Sequence, residues 1–337
     1  MKTKVGINGF GRIGKVAVKV WLENERDIDI VAINSTSGPV KHAHIFKYDS
    51  MYGILPQEVK ATDDELRIGD KVIQFTAHKD PADIPWKEMG VEIVLECSGK
   101  FNTEEGAMKH IEAGAKKVIL SAPPKGGDVL QVVMGVNEDM YDPAKHHVLS
   151  NASCTTNCMA PFVKILNDEF GVEYGLMTTV HAYTNDQQLL DMPHSDPRRA
   201  RAAAMSIIPT TTGAARAVAK VIPELKGKLN GFALRVPTPV VSVVDLVAEL
   251  KKDTTAEEVN QKLKEASEGP LKGIMGFSEE PLVSIDYKKD SRSSIIDGLS
   301  TMMTGPRLVK VVAWYDNEWG YSERLVDFLA YVAQKGI

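Results

Sequence analysis

The stretch Asn151-Ala152-Ser153-Cys154-Thr155-Thr156-Asn157-Cys158 sets a cysteine among small polar residues, where an apolar strand, His147 to Ser150, gives way to a helix. That helix is expected from Cys154 to Phe170, with Met159, Phe162, Val163, Leu166 and Phe170 at spacings of three and four. Ser153 is the expected N-cap, which puts Cys154 in the first turn. Unpaired backbone N–H groups point out of such a turn, and the helix dipole favours negative charge there. A thiol so placed is expected to ionise near neutral pH, and the thiolate is a nucleophile. The alternative is a packed, inert free cysteine.

A second chemical signal opens the chain. Lys4 to Asn8 reads as a strand, followed by Gly9-Phe10-Gly11-Arg12-Ile13-Gly14, a helix to about Glu23, and a strand from Ile28 to Asn34. The helix offers Ile13, Val16, Ala17, Val20 and Leu22 for one packed face. This is the βαβ setting in which a GxGxxG turn cradles a dinucleotide pyrophosphate at a helix N-terminus. An acidic residue ending the second strand would bind the adenosine ribose hydroxyls and favour NAD. Here the strand runs into Ser35-Thr36-Ser37-Gly38, without a carboxylate. Three hydroxyls can donate to a 2′-phosphate and no charge repels it, so NADP is expected to be accepted; whether it is preferred stays open.

The elements that must position these residues fall into two halves. Further apolar strands are expected at Val72 to Thr76, Val91 to Cys97, Lys117 to Leu120 and Val129 to Met134, with a helix from Thr103 to Ala113 ending at Gly114. Strands alternating with helices argue a doubly wound, mainly parallel sheet, in which ligands gather at the carboxyl ends of strands. Ser98-Gly99 and Ser121-Ala122-Pro123 occupy such ends, while Cys97 reads as core. After residue 170 the period changes. Val172 to Val180 is a strand ending at His181. From Val240 to Leu250, Ser242, Val244, Leu246, Ala248 and Leu250 alternate with Asp245 and Glu249, a pattern for an antiparallel sheet with one covered face. Lys310 to Tyr315 is another strand, and Ser322 to Gln334 an amphipathic helix. The fold class is therefore α/β, with a second, α+β half, and a boundary near 150 puts Cys154 at their junction, where sites commonly form.

Bulk properties agree. A chain of 337 residues with 43% hydrophobic content can bury two cores. A net charge of −5 provides no basic field for nucleic acid or a membrane surface. Three cysteines make no disulfide framework, and Cys154 and Cys158 lack the CxxC redox spacing. No apolar run is long enough to span a bilayer, and Met1-Lys2-Thr3-Lys4 enters a strand without a signal-peptide core. A soluble, cytoplasmic protein is expected.

Taken together, Val5-Gly6-Ile7-Asn8-Gly9-Phe10-Gly11-Arg12-Ile13-Gly14, Ser153-Cys154-Thr155-Thr156-Asn157-Cys158, His181-Ala182-Tyr183-Thr184, Arg198-Arg199-Ala200-Arg201 and Trp314-Tyr315-Asp316-Asn317-Glu318-Trp319-Gly320-Tyr321 resemble the phosphorylating glyceraldehyde-3-phosphate dehydrogenases over essentially the whole chain. The resemblance implies a homotetramer, a Rossmann domain of residues 1–152 completed by 317–337, and a catalytic domain of 153–316 with an eight-stranded sheet. It also implies roles. Cys154 attacks the aldehyde, and His181 pairs with the thiol as general base. Thr184 and Arg235 hold the substrate phosphate, with Asp186 nearby. Ser153, Thr155, Arg199, Thr212 and Gly213 line the attacking-phosphate site. Gly9, Gly11, Arg12, Ile13, Gly14, Ser35, Thr36, Ser98 and Ser121 face the dinucleotide, and Asn317 holds the nicotinamide carboxamide. No metal is expected. The residue types suit these tasks, since arginine offers a fork of donors, and Arg235 lies in an apolar run, Phe232 to Val236, where a charge needs a partner.

The chain departs from the family in places. NAD-specific members usually carry Asp where this chain has Ser35, and Thr36 resembles the residue of NADP-using members. Met192-Pro193 is closer to the NAD type, so use of both cofactors is expected. Pro197 stands for the usual Leu, and Lys15 for a common Arg. Two rivals remain: an erythrose-4-phosphate dehydrogenase, which hydrolyses its thioester, and a non-catalytic role binding RNA or a partner, which the net charge disfavours. The glycolytic or gluconeogenic direction is not written in these residues.

Overall fold

A computed structural model describes residues 2–24 and 26–337; of the opening stretch, Met1 lies outside the described residues. The chain divides into two compact units, Met1–Val132 with Glu138–Ala152 and Ser322–Ile337, and Val133–Asn137 with Ser153–Tyr321.

Among the described residues, the first unit is built on a nine-stranded sheet. Its middle strands are β1 (Thr3–Asn8) and β2 (Ile28–Asn34), paired in parallel. On one side of β1 follow Ile93–Glu96, Lys117–Leu120, Val148–Ser150 and Leu130–Gln131, all parallel. Beyond β2, Lys71–Thr76 is parallel, and then Glu65–Ile68 and Val59–Ala61 add an antiparallel edge that the sequence pattern had not revealed. The expected strand from Val129 to Met134 shrinks to Leu130–Gln131, because the Asn137 side chain takes the Val133 N–H and turns the chain away. Cys97 is not core: it follows the last residue of its strand and is half-buried.

Helix α1 (Arg12–Glu23) follows β1 and α2 (Pro39–Lys47) follows β2. The apolar face read for α1 is only part of what it buries. Leu22 is half-exposed, whereas Lys15 and Lys19 are buried at 4% and 3% exposure. Helix α3 (Glu104–Glu112) is capped by the Thr103 hydroxyl, which accepts from the Gly106 N–H, and Gly114 with φ +107 follows its C-cap, Ala113. The chain's last helix, α7 (Trp319–Lys335), is tied to the β2 approach by Arg26, which pairs with Glu323 and Asp327, and by Asn24, which donates to Glu323 at 3.2 Å.

The second unit contains an eight-stranded mixed sheet. Strand Val172–Ala182 lies between Leu229–Val236, parallel to it, and Ser242–Leu250, antiparallel to it. Leu308–Tyr315, Ser294–Asp297 and Met275–Ser278 continue the sheet, and Ile208–Thr211 closes the other edge. Residues 242 to 250 alternate strictly between buried and half-buried, as their period of two required. Helices α4 (Cys154–Phe170), α5 (Ala214–Val221) and α6 (Ala256–Glu268) cover the buried face. The other face leaves Tyr174, Leu176 and Phe232 exposed.

Candidate active site

Ser153 caps α4 as its sequence position required, accepting from the Thr156 N–H at 3.0 Å. Ala152, just before it, takes φ +52, a left-handed conformation that a residue with a Cβ adopts only at a cost in free energy. Behind the first turn, Met159, Phe162, Val163 and Leu166 are fully buried and hold the helix to the sheet.

Strand Val172–Ala182 brings His181 to this turn, with Nε2 at 3.5 Å from the Cys154 sulfur. The parallel register sets His181 beside Arg235. Nη1 of Arg235 lies 2.7 Å from His181 Nδ1 and 3.0 Å from the Ala182 carbonyl oxygen, and Nδ1 is itself 2.7 Å from that oxygen. A guanidinium only donates and a carbonyl only accepts, so Nδ1 can serve one of them at a time. With its proton directed to Ala182, His181 presents a lone pair to the thiol. With the proton on Nε2, it accepts from Arg235 and donates toward sulfur.

The electrostatics correct the expectation of an acidic thiol. Burial pushes the Cys154 thiol up from its ordinary value, and Arg235 with the N–H groups of the first turn pulls the other way without winning. Burial, then Arg235, lowers His181 to about 3. In the free protein the pair is thus a neutral thiol beside a neutral imidazole. The helix start alone could not have told this, because the desolvation comes from strands far away in sequence.

Two arginines supply positive charge. Arg235 is half-buried, its Nε is buried without a partner among the described residues, and both burial and Arg199 lower its pKa. Arg199 is held by the Thr210 hydroxyl at 2.8 Å, by Asp186, and by Asp196 at 3.5 Å. The Thr184 N–H donates to the Gln187 side-chain oxygen at 3.3 Å. Gly213 is the N-cap of α5, and the Thr212 hydroxyl just before it accepts from the Ala214 N–H at 3.2 Å. The Thr155 hydroxyl is turned to the Tyr315 hydroxyl at 2.8 Å, and Thr179 meets the same oxygen at 2.9 Å.

Asn317 is buried, and its side-chain oxygen accepts from the Ser242 hydroxyl at 3.0 Å; that oxygen of Ser242 in turn accepts from the Ala182 N–H at 3.0 Å. Ser242 thereby couples Asn317 to the backbone of the histidine strand. Sequence reading placed Ser242 on the covered face of its strand but gave it no task; a hydroxyl at an inward position was the available signal. Ser242→Ala leaves two buried groups without partners and should lower stability by about 1–3 kcal/mol. Thermal denaturation should show this together with a lower kcat.

In the first unit, the glycine turn fits a dinucleotide. Gly9 has φ +96, and a Cβ there would lie 2.4 Å from the Ser98 nitrogen. A Cβ on Gly14 would lie 2.3 Å from the Gly9 carbonyl oxygen, so only glycine allows the turn to close on the helix. Gly11 heads α1 without a side-chain cap, with open space around it and no acidic residue in the first turn, which leaves backbone N–H groups for an anion. Arg12 follows at the start of α1, paired with Asp49 at 3.1 Å, and Ile13 is half-buried. Ser35 and Thr36 follow the last residue of β2, Asn34, and Ser121 follows Leu120. Ser98 is fixed by Glu96, a carboxylate with no exposed surface that also accepts from Asn8 and contacts His110 at 3.0 Å. That carboxylate inside an apolar strand was a signal the sequence reading passed over.

A βαβ turn for a dinucleotide and a cysteine–histidine pair flanked by arginines define a class, the dinucleotide-dependent oxidoreductases. Family comparison gives the particular kind. Residues 3–104 match "Glyceraldehyde 3-phosphate dehydrogenase, NAD binding domain", and residues 153–317 match "Glyceraldehyde 3-phosphate dehydrogenase, C-terminal domain". The chain is 60% identical to glyceraldehyde-3-phosphate dehydrogenase of Geobacillus stearothermophilus and covers all of it, end to end. It is 59% identical to glyceraldehyde-3-phosphate dehydrogenase 1 of Bacillus subtilis (strain 168), also over the full length of both. Against glyceraldehyde-3-phosphate dehydrogenase 2 of Trichormus variabilis the identity is 55%, over 99% of each chain. The chain belongs to the glyceraldehyde-3-phosphate dehydrogenase family.

Proposed function

We propose that the protein catalyses the reversible conversion of glyceraldehyde 3-phosphate and inorganic phosphate to 1,3-bisphosphoglycerate. The observation that carries this is the Cys154–His181 contact of 3.5 Å beside an arginine with an unpartnered buried nitrogen. His181 Nε2 takes the thiol proton as sulfur bonds to the aldehyde carbon, and the Cys154 N–H in the first turn of α4 supports the oxygen that becomes negative. His181 returns that proton to the new oxyanion to give the thiohemiacetal hydroxyl and, neutral again, takes it back as the hydride leaves. A nicotinamide dinucleotide, when bound, accepts the hydride. The thioester left on Cys154 keeps the oxidation energy, and phosphate attack on its carbonyl carbon expels the sulfur.

Thr184 and Arg235 hold the substrate phosphate, which gives the Arg235 Nε its missing partner and draws the guanidinium from His181 Nδ1. Ser153, Thr155, Arg199, Thr212 and Gly213 receive the attacking phosphate, with Arg199 and Thr155 exchanging Asp186 and Tyr315 for its oxygens. Gly9, Gly11, Arg12, Ile13 and Gly14 hold the pyrophosphate, Ser35 and Thr36 the adenosine ribose, and Asn317 the carboxamide, with Ser98 and Ser121 at the adjoining strand ends. Because no carboxylate ends β2, both NAD and NADP are accepted. The exposed Tyr174, Leu176 and Phe232 on the sheet of the second unit support a homotetramer. Among the described residues no helix is long and apolar enough to cross a membrane; the full-length likeness to glyceraldehyde-3-phosphate dehydrogenases supports a cytoplasmic location.

One assay tests the reading: oxidation of glyceraldehyde 3-phosphate with each cofactor, with and without phosphate. Turnover should require phosphate and proceed with both NAD and NADP. Phosphate-independent turnover of erythrose 4-phosphate would transfer the protein to that rival activity. Strong NAD preference would remove the NADP part alone.

A further inference from the structure

Helix α1 carries three cations on neighbouring turns, Arg12, Lys15 and Lys19. One carboxylate serves the outer two: Asp49 lies 3.1 Å from Arg12 and 2.7 Å from Lys19, and it also accepts from the Met51 N–H at 2.9 Å. Lys15 has no carboxylate within ion-pair distance among the described residues. Its ammonium is buried against the Phe10 ring at 4.9 Å, donates to the Phe10 carbonyl oxygen, and lies 3.0 Å from His42 Nδ1. On the far side of the same ring, His42 Nε2 is 2.8 Å from the Ser35 hydroxyl oxygen.

The direction of these bonds follows from the donors. An ammonium has no lone pair, so His42 Nδ1 accepts and the ring proton sits on Nε2. That proton goes to Ser35 Oγ. The Ser35 O–H therefore has to donate elsewhere, and no acceptor for it exists among the described residues. The backbone of Ser35 is held on both sides, its N–H donating to Thr76 at 2.9 Å and its carbonyl accepting from Gly38 at 3.2 Å. A buried, carboxylate-free cation thus ends in one half-exposed hydroxyl with its proton free, at the carboxyl end of β2.

We propose that Lys15 and His42 are positioning residues for an adenosine 2′-phosphate, fixing the Ser35 hydroxyl as a donor and supplying the charge that separates NADP from NAD. The proposal rests on the reading that NADP is accepted, and it adds how that acceptance is produced. A 2′-phosphate dianion gains from the aligned donor and from the ammonium behind it, whereas a neutral 2′-hydroxyl gains only a hydrogen bond.

The charge on Lys15 offers a second readout. Burial, then repulsion from Arg12, lowers it to about 8, with Asp49 opposing and Lys19 assisting the shift. His42, lowered to about 4 by burial and then Lys15, stays neutral throughout the range that matters. The advantage for NADP is therefore present below pH 8 and fades as Lys15 deprotonates above it, with the bound phosphate delaying the loss.

Binding of NADP and NAD to the full-length protein should be measured by calorimetry for the parent, Lys15→Met, His42→Leu, Ser35→Ala and the Lys15→Met/Ser35→Ala double variant. Adenosine 2′,5′-bisphosphate, and AMP with inorganic phosphate, serve as probes that separate an attached from a free phosphate. Lys15→Met should weaken NADP about tenfold and NAD less than about twofold. His42→Leu should do the same. The double variant should lose less than the sum of the two single losses, since part of the Lys15 effect passes through the Ser35 hydroxyl. Between pH 7.5 and 10 the NADP-to-NAD affinity ratio should fall in the parent and stay flat in Lys15→Met. NAD binding shows that each variant is folded, and the parent pH series decides the matter if the lysine variant is not. An unchanged ratio in every variant, in a protein that binds NADP, overturns the relay and leaves the cofactor reading standing. A parent that does not bind NADP overturns both.

Discussion

Cys154→Ser should bind the dinucleotide as the parent does and oxidise aldehyde slower by about 10³-fold or more. The substitution is nearly isosteric, and the described contact of the sulfur is with His181, so the fold has little to lose. What is lost is the nucleophile, because a hydroxyl does not ionise beside a neutral imidazole as a thiol can, and an ester would not match a thioester as a leaving group for phosphate. Cys158 provides the contrast. It is fully buried one turn further along α4, 3.8 Å from the Ser294 hydroxyl and 3.7 Å from the Ala313 carbonyl, and burial pushes its thiol up strongly. Cys158→Ser should keep most of the activity. Steady-state rates and cofactor titrations on the two variants check this, and an exchange of their phenotypes would sink the mechanism.

The second large effect is at the base. His181→Asn should slow acylation by roughly 10²–10⁴-fold. The pH dependence carries the sharper information. His181 is lowered to about 3 by burial and then Arg235, so near neutral pH it is unprotonated and can take a proton from sulfur. The Cys154 thiol, raised by burial, has little thiolate of its own at that pH. Alkylation of Cys154 in the parent should therefore proceed at a pH where the Asn variant is nearly inert, and the variant should recover only as alkali ionises the thiol directly. Rates of iodoacetamide inactivation between pH 5 and 10 read this out. Coincident profiles for parent and variant would remove His181 from the proton transfer.

The acid limb has a stability consequence of the same sign. An unfolded histidine binds a proton near 6.5, whereas His181 and His42 do not until about 3 and 4. Between those values the unfolded chain binds more protons than the native one, so stability is present above 6.5 and is lost as pH falls.

Much of this protein was legible in its sequence because the signals are local. The Ser153 cap, the α4 face from Met159 to Phe170, the alternation from Ser242 to Leu250 and the glycine turn from Gly9 to Gly14 each lie within a few residues, where sterics and periodicity act directly. The antiparallel edge at Val59–Ala61 and Glu65–Ile68 escaped because short strands leave too few residues for a period. Tertiary structure decided what depends on neighbours remote in the chain. The parallel register put Arg235 against His181, and burial by distant strands made the thiol weaker and the histidine less basic than a helix start implies. Folding likewise carried Lys15 into the interior beside His42, as a buried cation behind Ser35. Spacing names the groups that can react; only the packed surroundings set their protonation and the direction of their hydrogen bonds, since desolvation and donor alignment are properties of the assembled unit.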